Sequence, residues 1–309
     1  MEISKHKEHD NIINVLSENF IKYKEGGLKK VYEQLMDYSK KPDSNKIEPV
    51  SKNNLNSKYL EGIEKVKDSL KNNQTFTNYQ TDLPIYIKSL SENAKTLIIC
   101  AMDPLSKEPI SGPERNSPIE YSTDKVNFWV PFSLITNDKG SNADFFEELS
   151  LHYNLYITDI YKLFFYIATN EWDNKNKKYK FLKSNSRPEF KKIMRHAEIL
   201  EKEIEIIKPH CIITLGNNSR NALVKISKDK TNPIKPWTEM DAEGNSVTDV
   251  QKYIFKNNNF ECNIISSPHI SASANGVRTP LLRNKKYTTI NEEIETKKMA
   301  KIIIRNLNK

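Results

Sequence analysis

The chain has 309 residues, a net charge of +8 and a hydrophobic content of 37%, with a mean hydropathy of -0.69. No stretch approaches the roughly 18 apolar residues of a membrane span, and the opening "MEISKHKEHD" lacks the apolar segment of a signal peptide. We therefore expect a cytoplasmic protein with an anionic partner, nucleic acid first, although a lysine- and asparagine-rich composition explains the charge equally well.

The first 90 residues are predicted to be helical and to contain a linker. Apolar residues recur at helical spacing over residues 1–40, and a further helix is predicted over residues 59–71. Residues 40–58 are polar and contain two prolines, which is typical of a linker or a long loop. We therefore expect a helical N-terminal extension with linker over residues 1–90 and a second domain over residues 91–309.

The second domain alternates short apolar runs with helical segments. The runs lie in "KTLIICAMDP", "YNLYITDIYK", "KPHCIITLGNNS" and "FECNIISSPHIS", and such unbroken runs are typical of strands buried on both faces. Helices are predicted over residues 142–152, 188–207 and 217–226, with "INEEIETKKMAKIIIRNLNK" as a closing helix. The sequence therefore predicts a three-layer α/β/α fold with a central, mostly parallel four-stranded sheet.

The three cysteines are Cys100, Cys211 and Cys262, and each lies within or at the end of a strand-like run. This placement indicates buried reduced thiols, and an odd count argues against a disulfide framework. Their spacing also matches no zinc or iron–sulfur motif. We expect neither a metal site nor a cofactor.

Chemically useful residues follow the predicted strands. The four runs end at Asp103, Asp159, Gly216 and His269. Since ligands bind at the carboxyl ends of the strands in parallel sheets, three ionisable residues are expected in one crevice. One such residue is readily explained as a helix cap, but three together favour a functional site.

Three short motifs lie in this part of the chain: "AMDP" at 101–104, "VPFS" at 130–133 and "HISAS" at 269–273. With these motifs, the residues from about 94 to 305 resemble the uracil-DNA glycosylase superfamily. "AMDP" is similar to the family's Gly-Gln-Asp-Pro or Gly-Met-Asn-Pro, and "HISAS" is similar to His-Pro-Ser followed by small residues. "VPFS" resembles the Val-Pro-Phe-Gly setting of a base-stacking phenylalanine. The chain departs from the family at Ala101, Leu105 and Ile270, and at Asp159, where many members carry asparagine.

The resemblance implies a monofunctional DNA glycosylase that flips a base out of DNA and leaves an abasic site. Asp103 would orient water and offset the charge of the sugar cation, while His269 would donate a hydrogen bond to the leaving base. The base would be bound by Met102, Phe132 and Asp159. The DNA backbone would be contacted by Ser267, Ser271, Ser273, Asn275 and Gly276. DNA is then the partner, and we expect the protein to act as a monomer away from membranes.

Asp159 makes the base specificity an open question. An ionised aspartate only accepts hydrogen bonds, so it suits the N4 amine of a cytosine-type base and repels O4 of uracil. Excising ordinary cytosine would destroy the host genome, which favours a modified cytosine such as some phage genomes carry, and hence a role in antiviral defence. The segment 105–127 could accommodate a 5-substituent.

Two alternatives stay open at this point. A protonated Asp159 could donate to O4, so a repair glycosylase for uracil or another deaminated base is the first alternative. A non-catalytic DNA-binding or inhibitory protein on the same fold is the second, and the presence of both Asp103 and His269 argues against it.

Overall fold

The computed structural model describes residues 4, 6–22, 27–37, 50–70, 75–101, 125–129, 141–175, 178–183, 196–226, 250–254, 260–270 and 292–308. Its helices are α1 (His9–Asn19), α2 (Gly27–Asp37), α3 (Ser57–Asp68), α4 (Ser141–Ser150), α5 (His196–Ile207), α6 (Asn217–Ile226) and α7 (Glu292–Leu307). Its strands are β1 (Val50–Ser51), β2 (Thr75–Asp82), β3 (Ile85–Ile87), β4 (Thr96–Ala101), β5 (Lys125–Trp129), β6 (Asn154–Asp159), β7 (Leu163–Asp173), β8 (Lys178–Lys183), β9 (Cys211–Leu215), β10 (Gln251–Ile254) and β11 (Glu261–Ser267).

The central sheet has six strands in the order β10-β11-β9-β4-β6-β3. The inner four, β11, β9, β4 and β6, are parallel to one another. The edge strands β10 and β3 run antiparallel to their neighbours. The four predicted strands and their parallel arrangement are thus confirmed, and two antiparallel edge strands extend the predicted four-stranded sheet.

Helices cover both faces of this sheet. The chain moves one way from β4 to β6 and the opposite way from β6 to β9 and on to β11. Because parallel crossovers are right-handed, this reversal puts α4 on one face and α5 and α6 on the other. Helix contacts agree, since α4 packs against α7 while α5 packs against α1 and α6. The predicted three-layer α/β/α architecture is confirmed.

A second sheet, not predicted from the sequence, has the strand order β1-β5-β2-β7-β8. Its strand β2 comes from the first 90 residues and pairs with both β5 and β7. Strand β3, also from the first 90 residues, pairs with β6 in the central sheet. Residues before 90 are therefore integral to both sheets as well as helical, and the division of the chain at residue 90 stays a prediction.

The core lies around the inner strands of the central sheet. Leu97, Ile98 and Ile99 of β4 and Ile212 and Ile213 of β9 are fully buried, because helices cover both faces. Each such side chain contributes about 1.5–3 kcal/mol relative to an exposed position.

The three thiols belong to this core. Cys100, Cys211 and Cys262 are free and buried, as predicted. Burial raises the pKa of the Cys211 thiol well above its ordinary value, and raises that of Cys262 to about 12 with a further contribution from Glu261. The thiols of Cys211 and Cys262 are consequently protonated at neutral pH. None of the described helices is long and apolar enough to cross a membrane.

Candidate functional site

The carboxyl ends of the four parallel strands meet at one edge of the central sheet. Ala101 at the end of β4 pairs in register with Asp159 at the end of β6. Leu215 at the end of β9 pairs with Ser267 at the end of β11. The hydrogen bonding between β4 and β6 continues one residue past Asp159, since the amide of Ile160 donates to the carbonyl oxygen of Ala101 at 3.1 Å. The strand ends that the sequence singled out therefore form one continuous edge.

Asp159 is the last residue of β6, and only 2% of its surface is exposed. A carboxylate is costly to remove from water unless other groups satisfy it, so an acidic residue at such a position indicates a specific role. Its Cα partner is Ala101, which immediately precedes the "MDP" of the predicted catalytic motif. Asp159 is thus next to the strand from which that motif continues.

Gly216 and His269 lie together at the other half of this edge. The amide of Gly216 donates to the carbonyl oxygen of Ser267 at 2.7 Å. Gly216 has a φ of +86°, a left-handed conformation that only glycine adopts without strain. A β-carbon built on it would lie 3.6 Å from Cβ and 3.8 Å from Cδ2 of His269. His269 is half-buried and lies beside the turn that follows β9.

The hydroxyl of Ser267 faces the protein interior. It donates to the carbonyl oxygen of Pro268 at 3.1 Å and contacts Sδ of Met299, on α7, at 3.3 Å. The residue is only 2% exposed. Its contact with the DNA backbone stays a prediction from the sequence, and the hydroxyl itself is bonded within the protein.

A buried polar network that the sequence did not predict joins β6, the connection after it and α5. Lys162 and Glu203 form an ion pair in which Nζ lies 2.9 Å from Oε2, and both side chains are fully buried. The hydroxyl of Tyr156 donates to Oε1 of Glu203 at 2.9 Å. Nζ of Lys162 also donates to the hydroxyl of Thr158. The available signal was a lysine inside the apolar run "DIYKLFFYI".

The second sheet meets the same edge. Leu163 opens β7 four positions after Asp159, and it pairs with Thr81 of β2. The next residue of β2, Asp82, pairs with Trp129 at the end of β5. Strand β5 therefore ends beside Asp82, one residue beyond the pairing of Thr81 with Leu163.

Most of the other predicted site residues lie outside the part of the chain that the structure describes. Among the ten, the described ones are Asp159, Ser267 and His269. Those outside it are Met102, Asp103, Phe132, Ser271, Ser273, Asn275 and Gly276. Their roles remain predictions from the sequence.

Two further features concern ligands. Within the described ranges, no group of three or more His, Cys, Asp and Glu residues is arranged to hold a metal ion.

An open cavity of about 1040 Å³ is lined by Ala94 and Asn154, near the amino ends of β4 and β6. Because this cavity lies at the opposite edge of the sheet from Asp159 and His269, it is separate from the candidate site.

Comparison with known families gives one match. The family model described as the uracil DNA glycosylase superfamily matches residues 124–295, which is more than half of the chain. The matched segment contains Phe132, Asp159 and His269, whereas "AMDP" at 101–104 lies before it. No curated protein matches the chain.

Proposed function

Because the chain belongs to the uracil-DNA glycosylase superfamily, we propose that it is a monofunctional DNA glycosylase. It hydrolyses the N-glycosidic bond of a flipped base and leaves an abasic site. The observation that carries this proposal is the shared strand edge, where Asp159 ends β6 and His269, beside the Gly216 turn, follows β11 of the same sheet. That edge is where α/β sheets bind their ligands.

Asp103 is the proposed residue at the sugar. It stands two residues after Ala101, and two residues of extended chain span at most about 7 Å. Ala101 is the register partner of Asp159, so a base read by Asp159 has its sugar within reach of Asp103. Its carboxylate orients the attacking water and offsets the positive charge that develops on the sugar.

His269 is the proposed residue at the leaving base. As the glycosidic bond breaks, the base departs as an anion, and an imidazole N–H can donate to its oxygen. Donors of this kind contribute about 3–4 kcal/mol in comparable sites when they are held in place before the reaction. His269 lies beside the Gly216 turn, and the proposal is that this turn holds the imidazole in place.

Base flipping sets a second requirement. Extracting a base from the stack costs a few kcal/mol, and stacking on an aromatic ring recovers about 1–3 kcal/mol. Phe132 is the proposed stacking residue, because "VPFS" at 130–133 resembles the family's segment with a base-stacking phenylalanine. Met102, between Ala101 and Asp103, completes the proposed base pocket.

The DNA backbone is proposed to pass over the segment that follows His269. Ser271, Ser273, Asn275 and Gly276 are small or short residues, so phosphates can approach the main chain closely. Backbone amides and hydroxyls are common phosphate ligands in DNA-binding proteins. The net charge of +8 favours the same partner through long-range attraction.

The proposed substrate is a modified cytosine. Asp159 as a carboxylate accepts from the N4 amine of a cytosine-type base and disfavours O4 of uracil. Restricting excision to a modified base spares ordinary cytosine, which is compatible with a role in antiviral defence against DNA that carries such bases.

Uracil or another deaminated base is the second candidate. Asp159 is buried, with only 2% of its surface exposed, and a protonated carboxyl group at this position can donate a hydrogen bond to uracil O4.

The test is the formation of alkali-labile sites in duplex and single-stranded DNA by the purified protein. Oligonucleotides that carry uracil, cytosine or a 5-modified cytosine at one position are incubated with the protein and then treated with alkali. Cleavage at the modified position supports the proposed glycosylase, and cleavage only at uracil selects the second candidate. Binding without cleavage on any DNA would indicate a non-catalytic protein.

A further inference from the structure

We propose that a basic cleft at the amino edge of the central sheet binds the phosphate group of a small phosphate monoester. The basic side chains that line this cleft are His6, Lys7, Lys95, Lys208 and His210. The cleft is an open cavity of about 590 Å³, a volume typical of small-molecule sites. The inference goes beyond the proposed glycosylase, since it concerns a different ligand at a different edge of the sheet.

The basic cleft lies at the opposite end of the strands from Asp159 and His269. It is lined by Thr96, the first residue of β4, and by His210, which immediately precedes β9. The amide of His210 donates to the carbonyl oxygen of Thr96 at 2.8 Å, which joins the two strand starts. Strand β4 has six residues, so about 16 Å of strand separates the cleft from the carboxyl edge. The cleft is therefore separate from the candidate base pocket.

Three parts of the chain bring the basic residues together. His6 and Lys7 precede α1, Lys95 precedes β4, and Lys208 and His210 lie between α5 and β9. Helix α1 packs against α5, which places the first part of the chain next to the third. The positive charge in the cleft is thus assembled by the fold and is not a run of consecutive lysines on a solvated face.

The carboxylates of the cleft do not balance its positive charge. Within the part of the chain that the structure describes, no ion pair involves Lys7, Lys95 or Lys208. The described carboxylates that line the cleft are Glu8 and Glu205, so the three lysines outnumber them even when both imidazoles are neutral. A concave site with an excess of one sign of charge attracts ligands of the opposite sign.

The neighbouring cavity of about 1040 Å³ shows that this positive charge is local. The two cavities share Ala94, but the larger one is lined by Asp144, Glu147 and Glu148, and its described carboxylates outnumber its lysines. Adjacent cavities at one edge of the sheet therefore differ in sign. An anionic ligand is directed to the basic cleft and away from its neighbour.

The backbone conformation of Lys208 supports a role in ligand binding. Lys208 follows α5 with a φ of +47°, in the left-handed region where a β-carbon is strained. Glycine is the residue usually found at such a helix end. A lysine here gives up stability while it places a charge in the cleft, and strained positions of this kind cluster at functional sites.

His6 lines the cleft with an imidazole that can donate a hydrogen bond, and only 6% of the residue is exposed. Its Nδ1 accepts from the amide of Glu8 at 3.0 Å, so the neutral ring carries its proton on Nε2. The ring packs edge-on against Tyr86, with centroids 4.8 Å apart. Burial lowers the pKa of this imidazole and Lys7 lowers it further, while Glu8 acts in the opposite direction and His9 adds to the lowering.

His210 is half-buried, and its ring stacks on that of Tyr153 with centroids 6.5 Å apart. Burial lowers the pKa of His210, and the charge of Lys95 lowers it further. A bound dianion would counter the lysine charges and favour both imidazolium forms, so binding should raise the pKa of His6 and of His210. Because binding then takes up protons, the affinity for a dianion that does not itself titrate should rise as the pH falls through these pKa values.

The experiment is a titration of the full chain with ribose 5-phosphate, followed by NMR of the histidine ring C–H signals. Ribose, which lacks the phosphate, is the ligand control, and sulfate is a dianion that does not titrate near neutral pH. An oligonucleotide without terminal phosphates tests the DNA backbone as the alternative source of phosphate. The exposed His152, which does not line the cleft, is the internal control.

We expect ribose 5-phosphate and sulfate to shift the signals of His6 and His210 in a saturable way. Ribose should shift neither signal, the His152 signal should not respond, and sulfate should bind more tightly at lower pH. The proposal is overturned if neither anion gives saturation, or if ribose produces the same shifts as its phosphate. It is also overturned if the oligonucleotide shifts both rings more strongly than ribose 5-phosphate, which would make the cleft a nucleic-acid surface.

Substitutions at the exposed lysines assign the binding to the cleft. Lys7→Gln, Lys95→Gln and Lys208→Gln should each raise the dissociation constant for ribose 5-phosphate at least about fivefold, because each removes a charged hydrogen-bond donor. The matched control is Lys88→Gln, which removes an exposed lysine from the neighbouring cavity and should leave the constant unchanged. Equal affinity in the three cleft variants and the control would refute the assignment. No base release is needed, so failure of the proposed glycosylase and failure of this proposal are distinguishable.

Discussion

Gly216 and His269 are neighbours at the carboxyl edge of the central sheet, where a β-carbon on Gly216 would lie 3.6 Å from Cβ of His269. That distance is ordinary van der Waals contact, so the side chain of an alanine would fit. The backbone would not, because Gly216 has a φ of +86°. The glycine is therefore required by its conformation rather than by the space around it.

Gly216→Ala should consequently reduce the free energy of unfolding by about 1 kcal/mol. The left-handed conformation costs a residue with a β-carbon about 1–2 kcal/mol, while the stiffer unfolded chain returns about 0.4–1 kcal/mol. Urea denaturation measures the difference. Base release should fall as well, since relaxation of the turn would displace His269, which lies beside it.

Lys208→Gly is the matched control for this prediction. Lys208 follows α5 with a φ of +47°, and its amide donates to the carbonyl oxygen of Ile204 at 2.9 Å. Glycine is favoured at this helix end, so the variant should be stabilised by up to about 1 kcal/mol. A Gly216→Ala protein as stable as the wild type would mean that the turn tolerates the β-carbon by rearranging.

The second prediction concerns the two proposed catalytic residues. Asp103→Asn and His269→Ala should each reduce single-turnover base release at least about a hundredfold, because each removes charge stabilisation that develops only in the transition state. DNA binding, measured by fluorescence anisotropy, should survive in both variants. Near-normal activity in either one would remove that residue from the mechanism.

The third prediction concerns metals. No group of metal-binding side chains occurs within the residues that the structure describes, and the proposed hydrolysis needs only a carboxylate, an imidazole and water. Base release should therefore continue at an unchanged rate after dialysis against EDTA. Loss of activity on chelation and its recovery with one particular ion would reveal a metal site.

The fourth prediction concerns Asp159. Replacement by asparagine keeps an acceptor for N3–H and adds a donor for O4, so Asp159→Asn should shift preference toward uracil. One bidentate base contact discriminates by about 1–3 kcal/mol, which corresponds to a shift of roughly five- to a hundredfold. The measurement is the ratio of single-turnover rates on matched oligonucleotides, because product release could otherwise hide the chemical step.

Asp144→Asn is the control for that ratio, since Asp144 lines the cavity at the opposite edge of the sheet. It should leave the preference unchanged. If the Asp159 variant also keeps the wild-type ratio, Asp159 lies outside the base pocket.

The central sheet could be predicted because its inner strands are buried on both faces, which leaves unbroken apolar runs such as "TLIICA" and "CIITL". The second sheet could not, because a strand such as "TFTNYQTD" carries mostly polar residues and is indistinguishable from a loop. Strand ends were equally informative for the site. Asp159 and His269 stand out because each follows an apolar run.

The long-range contacts of buried side chains were beyond sequence reasoning. Lys162 and Glu203 are 41 residues apart, and only the packing of α5 against the central sheet brings them together. Ser267 and its neighbour Ser266 are indistinguishable by type. Which of the two would face Met299 depends on α7, so the inward orientation of the Ser267 hydroxyl could not be anticipated.

The most direct test of the account is mass spectrometry of the free bases that the protein releases from a panel of normal, uracil-containing and modified-cytosine DNAs. We predict release of a modified cytosine, no release of ordinary cytosine, and loss of the signal in Asp103→Asn. The measurement identifies the leaving base directly, whereas strand cleavage reports only that a site was lost. If no free base appears from any DNA in the panel while the protein still binds it, the proposed glycosylase activity is contradicted.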